Sequence, residues 1–255
     1  MEILHYMINL KNPKNKASFY LLYLINFVKG TLFTIRNSEY LHEGISIRYP
    51  KKLFGIADRA AFFDKNYEFE EHYLVKKYLN DTDSVLELGG CLGFVSCLIN
   101  KKLTNKSNHV VLEPNPYLQD YLQFNRNNNG CDFRIIEGVL SKRKKEELFF
   151  NNTILGSSIK NKTDRSVFVS CFTINQLQEK FNLKFNTMVI DIEGGEYNLF
   201  KETDFKNLNI SKIIIEFHNF SNILADAEID FCREKLNENN FKHIESLNNT
   251  HVFIK

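Results

Sequence analysis

The sequence lacks several features that mark specialised classes of protein. It has no excess of one charge, since 33 lysines and arginines stand against 31 aspartates and glutamates. This balance argues against a dedicated nucleic-acid-binding protein. Its five cysteines form no C-x-x-C pair and no zinc-ligand spacing, so nothing indicates structural zinc. We therefore expect no nucleic-acid partner and a reducing compartment, the cytoplasm.

A membrane-spanning run is also missing. An apolar stretch lies near the N-terminus, from Phe19 to Val28, and is preceded by lysines at positions 11, 14 and 16. No small-residue cleavage site of a signal peptide follows it. Ten helical residues span about 15 Å, half of a bilayer core. The stretch favours a helix packed on the domain, with peripheral contact to the inner face of a membrane through residues 17–35 as the alternative.

From Ser84 onward, apolar strand-like segments alternate with helices. The predicted strands are Ser84–Leu88, His109–Glu113, Phe133–Leu140, Thr187–Ile192 and Lys212–Phe217. This alternation is typical of right-handed βαβ crossovers and a mostly parallel sheet. Two further segments around Asn248 predict an antiparallel C-terminal hairpin. The predicted fold class is α/β: a Rossmann-like domain over residues 61–255, preceded by a helical or irregular extension over residues 1–60.

Local signals define some boundaries within this alternation. Asn115 before Pro116 predicts a helix start, and Thr173 predicts another. The stretch from Glu147 to Val169 interrupts the rhythm and predicts a hairpin or an active-site loop.

Glycines at the end of the first strand predict a nucleotide site. Gly89, Gly90 and Gly93 allow a sharp strand-to-helix turn whose backbone amides can approach a ligand. Glu113 ends the next strand, where a carboxylate can accept hydrogen bonds from both ribose hydroxyls of an adenosine group. Glu137, near the end of the third strand, is a candidate for the adenine amino group, with a solvated carboxylate as the alternative.

The identity of the nucleotide depends on charge. The glycines do not have the G-x-G-x-x-G spacing of a pyrophosphate site, and Glu87 places a carboxylate just before the turn. That charge would repel a pyrophosphate but attract the ammonium and sulfonium of S-adenosylmethionine. The turn therefore favours a methyl donor, with a domain that has lost its ligand as the alternative.

Candidate catalytic residues lie at the carboxyl ends of the fourth and fifth strands. Asp191 and Glu193 alternate with apolar residues along the fourth strand, and Glu216 and His218 share one face of the fifth. Asp191, Glu193, Glu216 and His218 are unusual at the ends of buried parallel strands, and such ends line the ligand crevice of α/β sheets. Methyl transfer to oxygen requires an aligned acceptor and removal of its proton. His218 is the expected base, and Asp191 could orient the acceptor, act as the base or contact the donor's amino group. The four side chains also suit Mg²⁺ as a ligand set. For His218, the alternative to a catalytic role is a structural histidine held by local hydrogen bonds.

Four segments, in this order, resemble the FkbM family of methyltransferases. They are ELGGCLG (87–93), LEPNP (112–116), DIEGGE (191–196) and IIIEFH (213–218). The similarity covers roughly residues 60 to 220, and Tyr67-Glu68 and Gly156-Ser157-Ser158 resemble features that border the family's active site. The sequence departs from the family where Glu87 replaces Asp and Gly90-Cys91 replaces Ala-Asn.

The resemblance implies a seven-stranded sheet with its last strand antiparallel and an S-adenosylmethionine-dependent O-methyltransferase. Such enzymes commonly act on sugars or on polyketides and other natural products. We expect a hydroxyl acceptor on a sugar, glycan or glycolipid precursor. The alternatives are an NAD-dependent sugar-modifying Rossmann enzyme and a cofactor-binding scaffold that transfers no methyl group.

Overall fold

The computed structural model describes residues 16–52, 54–150, 157–160, 162–218 and 223–255. The α-helices in these ranges, numbered in chain order, are α1 Lys16–Arg36, α2 Ala60–Phe63, α3 Phe69–Tyr78, α4 Phe94–Lys102, α5 Gln119–Asn128, α6 Ile174–Phe181, α7 Glu196–Glu202 and α8 Asp226–Glu238. The strands are β1 Tyr40–His42, β2 Ile45–Ile47, β3 Val85–Leu88, β4 His109–Leu112, β5 Arg134–Ile136, β6 Val139–Leu140, β7 Lys145–Phe149, β8 Ser166–Phe172, β9 Thr187–Ile190, β10 Lys212–Glu216, β11 Lys242–Leu247 and β12 Thr250–Ile254.

Seven strands form one sheet in the order β11-β12-β10-β9-β3-β4-β5. Strands β10, β9, β3, β4 and β5 are parallel, and β12 runs antiparallel to both of its neighbours. This confirms the predicted α/β fold with an antiparallel C-terminal hairpin. Leu88 pairs with Ile190, which in turn pairs with Ile215. The residues that follow these three strands therefore begin at the same edge of the sheet.

Alternate residues of the central strands face two different layers of helices. Val111, Val189 and Ile214 pack with side chains of α3, α4 and α5 on one side of the sheet. Met188 and Ile215 pack with side chains of α6, α7 and α8 on the other. Burial on both faces explains why these strands are apolar along most of their length.

The predicted third strand, Phe133–Leu140, is divided in two. Its first part, β5, belongs to the large sheet, whereas β6 joins β8 and β7 in a small three-stranded sheet. The division falls at Gly138, where a Cβ atom would lie 2.5 Å from the carbonyl oxygen of Ser170. The chain changes sheets where only glycine allows β8 to come so close.

The predicted interruption after β6 contains paired strands. β7 and β8 pair antiparallel, as the arms of a hairpin do. Thr173 caps α6 with a capping box to Gln176, as predicted. Helix α5, however, begins at Gln119 rather than Pro116, because the side chain of Asn115 accepts a hydrogen bond from Tyr117 N–H and forms a turn first.

In its described part, the N-terminal segment contains the helix α1 and a β-hairpin that the sequence did not predict. The hairpin turns at Glu43 and Gly44, whose φ angles are 45° and 72°, as a two-residue turn requires. Tyr40, Ile45 and Ile47 are buried in the same cluster as α4. Hydrophobic residues from both sides of position 60 thus share one core, and the boundary there remains a prediction. No helix in the described ranges is long and apolar enough to cross a membrane.

Candidate active site

A cavity of about 290 Å³ opens at the carboxyl ends of β3, β4, β9 and β10. Seven carboxylates line it: Glu68, Glu113, Glu146, Asp191, Glu193, Glu202 and Glu216. Its lining includes His218 but no lysine or arginine among the residues described. The wall is therefore strongly acidic, which favours neutral or positively charged ligands.

The glycine-rich turn forms part of this wall. Gly89 lines the cavity with a φ of +92°, and a Cβ atom there would lie 1.7 Å from the carbonyl oxygen of Asp191. Gly90 and Gly93 are not among the lining residues. Their added Cβ atoms would meet Val111 at 2.4 Å and Leu122 at 2.7 Å, respectively. These two glycines allow the turn to pack closely on the sheet and α5, and their predicted contact with the cofactor remains untested.

Glu113 lies where a ribose-binding carboxylate is expected. It lines the cavity, and its two oxygens accept hydrogen bonds of 2.7 Å from the N–H groups of Cys91 and Asn115. Burial raises the pKa of Glu113 to about 7, although the two backbone hydrogen bonds oppose the shift. The carboxylate is thus fixed at the cavity by the same turn that follows Gly89.

Two of the predicted cofactor residues lie away from the cavity. Glu87 is buried, where it accepts a 2.6 Å hydrogen bond from Ser96 of α4 and lies 2.8 Å from Nε2 of His109. Neighbouring strand residues face opposite sides of a sheet, and Glu87 faces this helix rather than the cavity. Glu137 is exposed, and Gly138 lines the cavity beside it.

The structure brings together all four predicted catalytic residues at the cavity. His218 is 2% exposed. Its Nε2 atom lies 3.2 Å from Oδ1 of Asp191 and 3.5 Å from Oε2 of Glu193. The strand β9 ends at Ile190, so Asp191 and Glu193 lie in the turn after it and not along it as predicted.

Glu196 contacts His218 and was not among the residues predicted for the site. It is the first residue of α7, is fully buried, and its Oε1 atom lies 2.6 Å from Nδ1 of His218. The available signal was its place in the DIEGGE segment, directly after Gly194 and Gly195. The side chain fixes the orientation of the imidazole ring.

Two hydrogen bonds determine the charge of His218. Burial opposes protonation, but the hydrogen bonds to Asp191 and Glu196 outweigh it and raise the pKa of His218 to about 12. At neutral pH the ring is therefore an imidazolium, which has no lone pair to accept a proton. In this state the ring is a buried cation that holds carboxylates in place, and the role of His218 as the base stays a prediction.

The carboxyl groups around His218 also have raised pKa values. Burial, and then repulsion from Asp191, raises the pKa of Glu193 and of Glu216 to about 8. The same causes raise the pKa of Glu68 to about 8. Groups with such values can both take and release protons near neutral pH.

Glu68, which precedes β3, lines the cavity, and Glu71 lies close to it without lining the cavity. Glu68 precedes α3 with a φ of 51°, and Glu71 lies one turn further on. Carboxylate oxygens of Glu68, Glu71 and Asp191 lie within 4.8 Å of one another. Glu71 is 4% exposed, and its Oε1 atom has no hydrogen-bond partner among the residues that the structure describes. Glu71 was missed because acidic residues in the first turn of a helix, here Glu70 and Glu71, commonly have no role beyond stabilising the helix.

The loop before β8 supports the turn that contains Glu193. Ser157 lines the cavity, and the hydroxyl of Ser158 donates a 2.6 Å hydrogen bond to the carbonyl of Glu193. Gly156, the first residue of the predicted loop motif, lies outside the described residues. Tyr67 also lines the cavity, with its hydroxyl 3.6 Å from Sγ of Cys91.

The fold and the acidic cavity fit an S-adenosylmethionine-dependent methyltransferase, and a family match identifies this class. The methyltransferase FkbM domain matches residues 87–243, more than half of the chain. The chain belongs to the FkbM methyltransferase family. This assignment replaces the alternative of an NAD-dependent enzyme.

Solved structures of other methyltransferases are similar in fold. An O-methyltransferase from Bacillus cereus, in complex with S-adenosylhomocysteine, is 13% identical, with 72% of this chain and 79% of that one covered and a TM-score of 0.40. A methyltransferase from Pyrococcus furiosus is 12% identical, with 91% and 97% covered and a TM-score of 0.48. No curated protein matches the chain in sequence.

Proposed function

We propose that this chain transfers the methyl group of S-adenosylmethionine to a hydroxyl group of a sugar, or of a glycan or glycolipid precursor. In this proposal the acceptor is presented in the cytoplasm at a membrane face that residues 17–35 contact. The observation that supports hydroxyl methylation most directly is the set of carboxylates, Asp191, Glu193 and Glu216, arranged beside His218 on the wall of the cavity.

The donor is proposed to lie along the glycine-rich turn. Glu113 accepts hydrogen bonds from the ribose hydroxyls, and Gly89 lets the turn approach the donor closely. The ammonium group then faces the carboxylates of Glu68, Glu71 and Asp191, where a positive charge offsets their mutual repulsion.

That assignment competes with Mg²⁺ for the same oxygen ligands. Three carboxylates also suit this metal, but the donor itself brings a cation to them in every turnover. We expect methyl transfer to survive complete chelation of divalent ions. Loss of activity with a chelator, and its recovery with Mg²⁺ or Mn²⁺, would instead indicate that Glu68, Glu71 and Asp191 bind a metal ion.

Proton removal is assigned to the carboxylates. The acceptor oxygen attacks the methyl carbon in line, the carbon–sulfur bond breaks, and the donor leaves as neutral S-adenosylhomocysteine. The hydroxyl proton passes to Glu193 or Glu216. Asp191 orients the acceptor, and the His218 cation, held by Glu196, keeps Asp191 and Glu193 in position.

The charge of the wall indicates the class of acceptor. A phosphorylated sugar would bring negative charge against the carboxylates that line the cavity, with no described lysine or arginine to receive it. Like charges across an interface suppress binding. We therefore expect a neutral hydroxyl-bearing sugar to be the acceptor.

Transfer of labelled methyl groups to pairs of neutral glycosides and their phosphates tests this proposal. The neutral member of a pair should be methylated, and its phosphate at least about tenfold more slowly. The variant Asp191→Asn should lower the rate by about 10²-fold while S-adenosylhomocysteine still binds. Donor binding without transfer to any acceptor, and no effect of Asp191→Asn, would instead favour the scaffold alternative.

A further inference from the structure

Helix α1 presents an apolar face that no other part of the described chain covers. Nine of its large apolar or aromatic side chains are exposed: Tyr20, Leu21, Tyr23, Leu24, Ile25, Phe27, Val28, Leu32 and Ile35. Exposed patches of this extent on soluble domains usually mark an interaction surface.

The opposite face fixes the helix to the domain. A Cβ atom on Gly30 would lie 1.6 Å from the carbonyl oxygen of Ile56, so backbone meets backbone there. Phe33 is buried in the core, and Lys29 pairs with Asp64 at 2.7 Å. These contacts hold the second half of α1, and the exposed residues of its first half therefore project at a fixed orientation.

The width of the exposed face argues for a broad surface rather than a groove. At about 100° per residue, the exposed positions cover a sector of roughly 200° of the helix circumference. A partner helix packs against a narrower stripe, of about 100°. A lipid surface in which the helix lies parallel to the plane can cover the wider sector.

The charge of α1 and of the preceding sequence selects the kind of surface. The 21 residues of α1 contain no aspartate or glutamate, and Arg36 ends the helix with an exposed side chain. The sequence before it adds lysines at positions 11 and 14. An apolar face with cations and no anions is the pattern of helices that lie in the interface of anionic membranes.

We propose that α1 binds the surface of a membrane rich in anionic lipid, lying in its plane with Leu21, Leu24 and Val28 inserted among the acyl chains. The helix axis is parallel to the membrane surface in this proposal, because Phe33 and Gly30 fix one side of α1 to the domain. This deepens the membrane contact in the proposed function, but it does not depend on methyl transfer.

Vesicle flotation tests the proposal on the full chain. The protein should float with vesicles that contain phosphatidylglycerol and much less with pure phosphatidylcholine, and raised salt should weaken binding. The triple variant Leu21→Asp, Leu24→Asp, Val28→Asp should reduce binding at least about tenfold. Phe168→Asp is the matched control, because Phe168 is 67% exposed on β8 and should leave binding unchanged.

Other outcomes would overturn the proposal. Equal flotation of wild type and the triple variant would exclude α1 as the contact. A dimer in light scattering that the triple variant dissociates, without vesicle binding by the wild type, would assign the face to a second copy of the chain. Affinity for S-adenosylhomocysteine, measured in parallel, shows that each variant is folded and separates a failure of this proposal from a failure of the methyltransferase assignment.

Discussion

Replacing Glu196 with glutamine removes one of the two carboxylates that hold His218 charged. The Nδ1–Oε1 contact of 2.6 Å is lost as an ion pair, and Asp191 remains 3.2 Å from Nε2. A charged partner at this range shifts a pKa by about 1–3 units. We therefore expect Glu196→Gln to lower the pKa of His218 by about that much, from about 12 in the wild type.

The same shift has a consequence for stability with a defined sign. Because the folded-state pKa of His218 is raised above 6.5, its stabilising effect is fully present below that pH and is lost as the pH rises through the folded value. At about 1.4 kcal/mol per unit, Glu196→Gln should cost about 1.4–4 kcal/mol of unfolding free energy at pH 6. Urea unfolding measures this difference, with the exposed Glu179→Gln of α6 as the control.

Proton titration of the histidine rings by nuclear magnetic resonance tests the charge state directly. A His218→Gln variant identifies the signal among the seven histidines. In the wild type the ring should remain protonated through pH 9. A wild-type His218 that titrates near 6.5, or an unchanged pKa in Glu196→Gln, would refute the argument that the two carboxylates create a buried cation.

Three further predictions concern the donor site, the base and the turn. Glu113→Gln should weaken S-adenosylhomocysteine binding by about tenfold or more, and unchanged affinity in calorimetry would contradict its ribose role. The rate of methyl transfer should rise with pH around a midpoint near 8, because Glu193 has a pKa of about 8 and accepts a proton only when ionised. A rate that does not change between about pH 6 and about pH 9 would exclude a carboxylate base of this kind. Gly89→Ala should destabilise the fold by more than about 2 kcal/mol, since its Cβ would lie 1.7 Å from the carbonyl oxygen of Asp191, whereas Gly44→Ala, with nothing within 4 Å, should cost only about 1 kcal/mol in thermal unfolding.

The central sheet could be predicted from the sequence because its strands are buried on both faces. Residues 213–215 of β10 are all isoleucine, and the alternation of such apolar segments with helices leaves few topologies. The hairpin before residue 60 was not predictable in the same way. Its turn uses Glu43-Gly44, which lacks the Asn-Gly or Asp-Gly signal, and its strands have three residues each.

Site residues at the ends of strands could be predicted from the sequence. Site residues whose place depends on the direction of a side chain, or on the packing of a helix, could not. Asp191 and His218 follow neighbouring parallel strands, so their convergence at one edge was predictable. Glu87 faces either the crevice or α4, depending on which side of β3 its side chain occupies. The spacing of residues in the sequence does not determine that side. Glu71 meets Asp191 only through the packing of α3 against the sheet, a contact between residues far apart in the chain.

The acidic wall also bears on how a turnover ends. The donor arrives with a sulfonium cation. After transfer the same sulfur is an uncharged thioether, and one carboxylate of the wall has taken up the acceptor's proton. Part of the attraction between the site and its nucleoside is therefore removed by the reaction itself. S-adenosylhomocysteine should therefore bind more weakly than S-adenosylmethionine. The acidic wall would then favour replacement of the product by a new donor and reduce product inhibition.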